Sequence, residues 1–104
     1  MKRIFIFTFL LLLAVRVVSA ATVDTLAVHS PSMDRDIPVV AIVPEGVSAA
    51  EPCPVVYLLH GYGDNYTAWS EKGNACPMAD TYGVIIVMPD GGFDSWYYDS
   101  PVEP

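Results

Sequence analysis

The chain has 104 residues and a formal charge of −7, a length that allows at most one domain. The first twenty residues hold Lys2, Arg3 and Arg16 and no acid, so residues 21–104 set two basic side chains, Arg35 and Lys72, against twelve acids, a charge of −10. So acidic a chain is a poor partner for nucleic acid, and its mean hydropathy of +0.40 does not signal a membrane protein, because no run of eighteen apolar residues follows position 20.

Residues 1–20 read as a secretory signal peptide. Lys2 and Arg3 form the basic start, and Ile4 to Val15 is apolar apart from Thr8. Val18-Ser19-Ala20 supplies the small −3/−1 residues that signal peptidase accepts, placing cleavage near Ala20. Arg16 interrupts the apolar run before it reaches the roughly twenty residues of a membrane anchor. The expected location is secreted or periplasmic, with no stable membrane anchor after cleavage. Residues 21–104 are the part expected to fold.

Val23, Leu26 and Val28 alternate raggedly with polar residues, a strand pattern that ends at Ser30-Pro31. Asp34-Arg35-Asp36 reads as a polar turn and Ile37–Val43 as a second strand, closed by Pro44-Glu45-Gly46. Together they predict an antiparallel hairpin. Residues 47–54 form a surface linker. Two unbroken apolar runs follow, Val55–Leu59 and Val84–Met88. Runs of this kind predict strands buried on both faces of a helix-covered parallel sheet. The 24 residues between them suffice for a right-handed crossover through a helix. Pro77 fits the first turn of that helix, Met78–Tyr82 its body and Gly83 its end. The fold class is α/β, an antiparallel hairpin followed by a βαβ unit over residues 54–89.

A hairpin and two parallel strands cannot cover both faces of both runs. Burying one Val, Ile or Leu contributes roughly 1.5–3 kcal/mol. Leaving half of those ten residues exposed forgoes about 10 kcal/mol, comparable to the net stability of a whole domain. The chain is therefore expected to be the front part of a longer protein.

Cys53 and Cys76 are compatible with a disulfide in an oxidising compartment and equally with two small buried hydrophobes. No metal is expected: there is no CxxC or His cluster, and Asp90, Asp94 and Asp99 match no calcium loop. Asn65-Tyr66-Thr67 is an N-glycosylation sequon expected to be coincidental. The acids scattered over the hairpin and linker, Asp24, Asp34, Asp36, Glu45 and Glu51, read as solubility charge.

Both apolar runs open into glycine-rich loops, His60-Gly61-Tyr62-Gly63 and Asp90-Gly91-Gly92. Sites of open α/β sheets gather at such strand ends. A tight glycine turn there can aim backbone N–H groups at the oxyanion of an acyl-transfer reaction, where one donor contributes about 2.7–4 kcal/mol. Phe93, Trp96, Tyr97 and Tyr98 follow the second loop with Ser95 among them, composing either a substrate pocket or ordinary loop packing.

Val56–Gly63, the segment Asn65–Trp69 and the stretch Ala79–Gly92 together resemble the putative esterase family of α/β-hydrolases. That family includes S-formylglutathione hydrolases (esterase D), feruloyl and acetylxylan esterases, tributyrin esterases and mycolyltransferases. The resemblance covers about residues 32–101. It implies the N-terminal part of an α/β-hydrolase sheet, truncated before the nucleophile elbow. It further implies an exported serine esterase using an acyl-enzyme and no cofactor, acting on a small-molecule or carbohydrate-linked ester. Tyr62 would donate an oxyanion-hole N–H, with Gly61 and His60 supporting the loop. Trp69, Asp90, Gly91, Ser95 and Trp96 would border the substrate pocket. No G-x-S-x-G occurs in the 104 residues, so the Ser-His-acid triad is not among them and this chain alone is expected to be inactive. His29 is expected to be structural. An acyltransferase of the same fold uses the same machinery. A non-catalytic secreted module with Trp69, Trp96, Tyr97 and Tyr98 as a carbohydrate platform is a reading from a different class.

Overall fold

The computed structural model describes residues 20–98; most of the expected signal peptide (residues 1–19), and Asp99 onward, lie outside them. Four strands form one mixed sheet in the order β1-β2-β4-β3. They are β1 (Thr22–Ser30), β2 (Arg35–Val43), β3 (Val55–Tyr57) and β4 (Ile85–Pro89). Strands β1 and β2 pair antiparallel, as do β2 and β4, while β3 runs parallel to β4. The hairpin and the βαβ unit are both present.

The hairpin reverses earlier than its charges suggest. The turn occupies residues 31–34, and Arg35 and Asp36 belong to β2, opposite Ser30 and His29. Two features move it. Asp34 takes the left-handed conformation (φ 46°) that short polar side chains tolerate. Asp36 is then free to meet His29 across the strands, Nδ1 to Oδ1, at 3.0 Å. His29 is thus a surface cross-strand residue.

Two helices, not one, span the crossover. Helix α1 (Ala68–Lys72) is a short piece and α2 (Ala75–Tyr82) the main one. Pro77 falls in the first turn of α2, and Gly83 ends it at φ 61°, donating its N–H to the Ala79 carbonyl. Ala75 and Ala79 of α2 lie on Val40, Ile42, Ile86 and Met88 of the sheet, and these six side chains form the main buried cluster. Register explains the set: Val40 faces Met88 and Ile42 faces Ile86. Small alanines let the helix approach a sheet of branched side chains closely.

Strand β3 departs from expectation. It is three residues long and lies at the end of the described sheet, with Val55, Val56 and Tyr57 45%, 44% and 70% exposed. Leu58 still donates to the Val87 carbonyl at 2.9 Å, but the Leu59 carbonyl accepts the Trp69 indole N–H at 2.9 Å, which ends the ladder. Helix α2 covers β2 and β4 and leaves β3 beside an apolar groove of about 480 Å³, lined by Val56, Leu58, Trp69, Met78 and Tyr82 among others. Burial on both faces is accordingly not found for either run within the described residues; in β4 only Ile86 and Met88 are buried. Cys53 and Cys76 are both free thiols.

Candidate active site

The parallel pairing of β3 and β4 brings their C-terminal ends side by side, and with them the two glycine-rich loops. Residues 61–64 form a turn in which Asp64 donates its N–H to the Gly61 carbonyl at 3.2 Å. Its third residue, Gly63, has φ 75°, the type II geometry that favours glycine. The Gly63 N–H donates in turn to the Phe93 carbonyl at 2.7 Å, and the Tyr62 and Phe93 rings lie 5.9 Å apart.

His60 fastens the two loops together. Its side chain is 2% exposed. Nε2 accepts the Gly91 N–H at 2.9 Å, so Nδ1 is the nitrogen that carries hydrogen, and it donates to the Gly61 carbonyl at 2.9 Å. Asp90 Oδ1 lies 3.8 Å from Nε2, too far for a hydrogen bond, and accepts instead the Gly92 N–H at 2.7 Å. His60 therefore works as a neutral bridge and not as half of an ion pair.

Tyr97 closes the arrangement from above. Its hydroxyl donates to the His60 carbonyl at 3.2 Å, and its ring meets the imidazole edge-on at 5.8 Å. The same ring crowds Gly91, where a Cβ would overlap it; this close approach is what requires glycine there. Burial pushes the Tyr97 phenol above its ordinary pKa of 10.0, and the Asp90 charge acts in the same direction. It remains a donor at neutral pH.

The base of the first loop is tied to α1. Trp69 holds Leu59 through its indole, and Lys72 Nζ reaches Asp64 Oδ2 at 2.8 Å. That lysine holds the Asp64 carboxyl below its ordinary value of 3.8, and the carboxylate raises Lys72. The sequon asparagine works locally: Asn65 Oδ1 accepts both the N–H and the hydroxyl of Thr67, at 2.8 and 2.6 Å, just before the helix.

Of the expected site residues, His60, Gly61, Asp90 and Gly91 come together, and Trp69 joins them at the loop base. Ser95 is exposed and lies over Gly92. Trp96 is 78% exposed and, among the described residues, makes no ring contact or side-chain hydrogen bond. Tyr62 is 80% exposed, and among the described residues none accepts its N–H. The sequence marks Tyr97 only as one of the aromatics after the second loop, not as a partner of His60. Its position seven residues after Asp90 gave no sign that it would fold back onto His60. Two of the four aromatics of the platform reading, Trp69 and Tyr97, are engaged in holding the loops.

Known proteins place this arrangement in a family. Over 79 residues the chain is 38% identical to the diacylglycerol acyltransferase/mycolyltransferase Ag85A of Mycobacterium tuberculosis, covering 74% of this chain and 22% of that protein. It is 40% identical over 80 residues to the MPT51/MPB51 antigen of the same organism, covering 75% and 24%. The chain thus spans about a quarter of the length of the curated relatives it matches. Among solved structures, a ferulic acid esterase superposes with a TM-score of 0.69 at 25% identity, over 78% of this chain and 37% of that one. The S-formylglutathione hydrolase of Staphylococcus aureus superposes with a TM-score of 0.62 at 23% identity, over 69% and 31%, a likeness of fold. The fold described above is therefore that of α/β-hydrolase esterases, over the part of them that this chain covers. The family model described as Putative esterase matches residues 30–103, and the chain belongs to that family.

Proposed function

We propose that residues 21–104 are the front part of an exported serine ester hydrolase and carry one half of its oxyanion hole, the N–H of Tyr62. The observation that carries this reading is the locked pair of loops at the ends of β3 and β4. They hold a type II turn through His60 and leave the Tyr62 N–H without an acceptor among the described residues. A serine from the remainder of the protein attacks an ester carbonyl, aided by a His–acid pair. The developing oxyanion takes the Tyr62 N–H and a second N–H beside the serine, and water then releases the acyl group. Gly61 and His60 support the donor. Trp69, Asp90, Gly91, Ser95 and Trp96 border the substrate, a small or carbohydrate-linked ester. No cofactor takes part. Residues 1–20 direct export, so the mature enzyme works outside the cytoplasm.

Proline at position 62 tests the donor, because it deletes the N–H while suiting the second position of a type II turn. In the full-length protein Tyr62→Pro is expected to lower kcat for p-nitrophenyl acetate by about 10²–10³-fold. Tyr62→Ala keeps the N–H and is expected to stay within a few fold of wild type. Equal activity of wild type and Tyr62→Pro overturns the assignment. The 104-residue chain alone is expected to show no turnover above a heat-denatured control, and robust turnover sensitive to a serine inhibitor would overturn that.

The acyltransferase names of the 38%-identical relatives favour a second reading, acyl transfer to an alcohol acceptor. Product partition in the presence of a sugar acceptor separates the two. Mainly transesterified product supports the transferase and mainly free acid the hydrolase.

A further inference from the structure

We propose that Asp80 is a preformed seat for the amino terminus that signal-peptide removal creates at Ala21. The proposal rests on the export reading of residues 1–20 and adds a structural role for the cleavage itself. Asp80 is half-buried in the second half of α2 and takes no part in the loop cluster of the site. Its Oδ2 accepts the backbone N–H of Ala20 at 2.9 Å and of Ala21 at 3.1 Å. Its Oδ1 accepts the N–H of Glu45 at 3.1 Å. One carboxylate thereby joins three pieces of chain remote in sequence: the entry to β1, the turn that leaves β2, and α2.

Cleavage changes the chemistry of that junction. Water adds across the Ala20–Ala21 peptide bond under the action of signal peptidase. The C–N bond breaks, Ala20 leaves as a carboxylate, and the Ala21 nitrogen gains hydrogens to become an ammonium. The nitrogen already stands 3.1 Å from Oδ2. A bond from a neutral amide then becomes a charge-assisted one, shorter and roughly twice as strong. The Ala20 donor is lost, and the extra hydrogens of the ammonium can replace it. Register limits where this works. Thr22 is already opposite Val43 in the β1–β2 ladder, so a terminus made one residue later would lie within the strand and away from the carboxylate. Maturation thus tightens the hold of α2 on the outer strand of the sheet.

The test uses the full-length secreted protein. N-terminal sequencing is expected to give Ala21 as the first residue. Acetylation of the α-amine by a water-soluble active ester near pH 7 is expected to run about tenfold slower in the wild type than in Asp80→Asn, equivalent to about one pKa unit. If Asp80→Asn is not secreted, the same comparison is made between native wild type and wild type unfolded in urea. Equal rates with an Ala21 terminus overturn the seat and leave export standing, as does a terminus at Thr22 or beyond. A protein that stays inside the cell with residues 1–20 still attached overturns the export reading, and the seat falls with it.

Discussion

Strands β3 and β4 begin from the same kind of sequence and end differently. Both are unbroken apolar runs, and both feed a glycine-rich loop. Strand β4 lies between β2 and β3, with Ile86 and Met88 buried under α2. Strand β3 has one neighbour among the described residues and shows all three of its side chains to solvent. Hydrophobic pattern therefore specifies what a strand can tolerate on its faces. Place in the sheet decides what covers it. The loops invert the ranking, since the exposed strand carries the proposed donor and the enclosed strand supplies the backing that holds it.

Substitutions can break or sharpen this contrast. Met88→Ala removes a side chain that is 1% exposed and is expected to cost about 2–5 kcal/mol in denaturant unfolding. A loss under 1 kcal/mol would show that β4 is not the centre of the core. Next come the fastenings between the loops. Gly91→Ala drives a methyl into the Tyr97 ring and is expected to cost about 1–3 kcal/mol. The added substitution Tyr97→Ala should recover part of that cost, and a purely additive pair would refute the contact. Val56→Ala on β3 is expected to cost less than about 1 kcal/mol while its face stays open, against about 2 kcal/mol or more if another part of the protein covers it. That single number says whether the two strands remain unlike in the complete molecule.

The smallest effect is electrostatic. Asp64 is held below 3.8 by Lys72, so the tie is complete above about pH 4 and is lost as the pH falls through the depressed folded value. A carboxyl titration followed by NMR should place the Asp64 midpoint below 3.8 and return it toward that value in Lys72→Met. A midpoint indifferent to the substitution would remove the ion pair from the loop's support.

Local chemistry made much of the fold legible. The Gly83 stop, Pro77 near the helix start and the paired runs each report on their own neighbourhood. Most of the departures from local pattern have nonlocal causes. The hairpin turn moved because Asp36 pairs with His29 across the strands. The first apolar run shortened because Trp69, ten residues on, takes the Leu59 carbonyl. Helix α1 is too short to carry a hydrophobic period. At the candidate site the two loops could be read as strand ends. The His60 bridge to Gly91 could not, because it joins residues 31 apart whose closeness depends on β3 and β4 being neighbours.

The order β1-β2-β4-β3 also sets a timetable for folding. The β1–β2 hairpin closes through a four-residue turn and can form as soon as it is synthesised. Strand β3 comes next from the ribosome but has no place beside β2, because that edge belongs to β4. Until Ile85–Pro89 inserts between them, Val55–Tyr57 has no partner in the described sheet, and its uncharged Val-Val-Tyr-Leu-Leu run is the kind of segment that pairs with other chains. Closing that gap requires a long loop before any reward, so β4 insertion is the expected slow step and the interval before it the time of greatest aggregation risk.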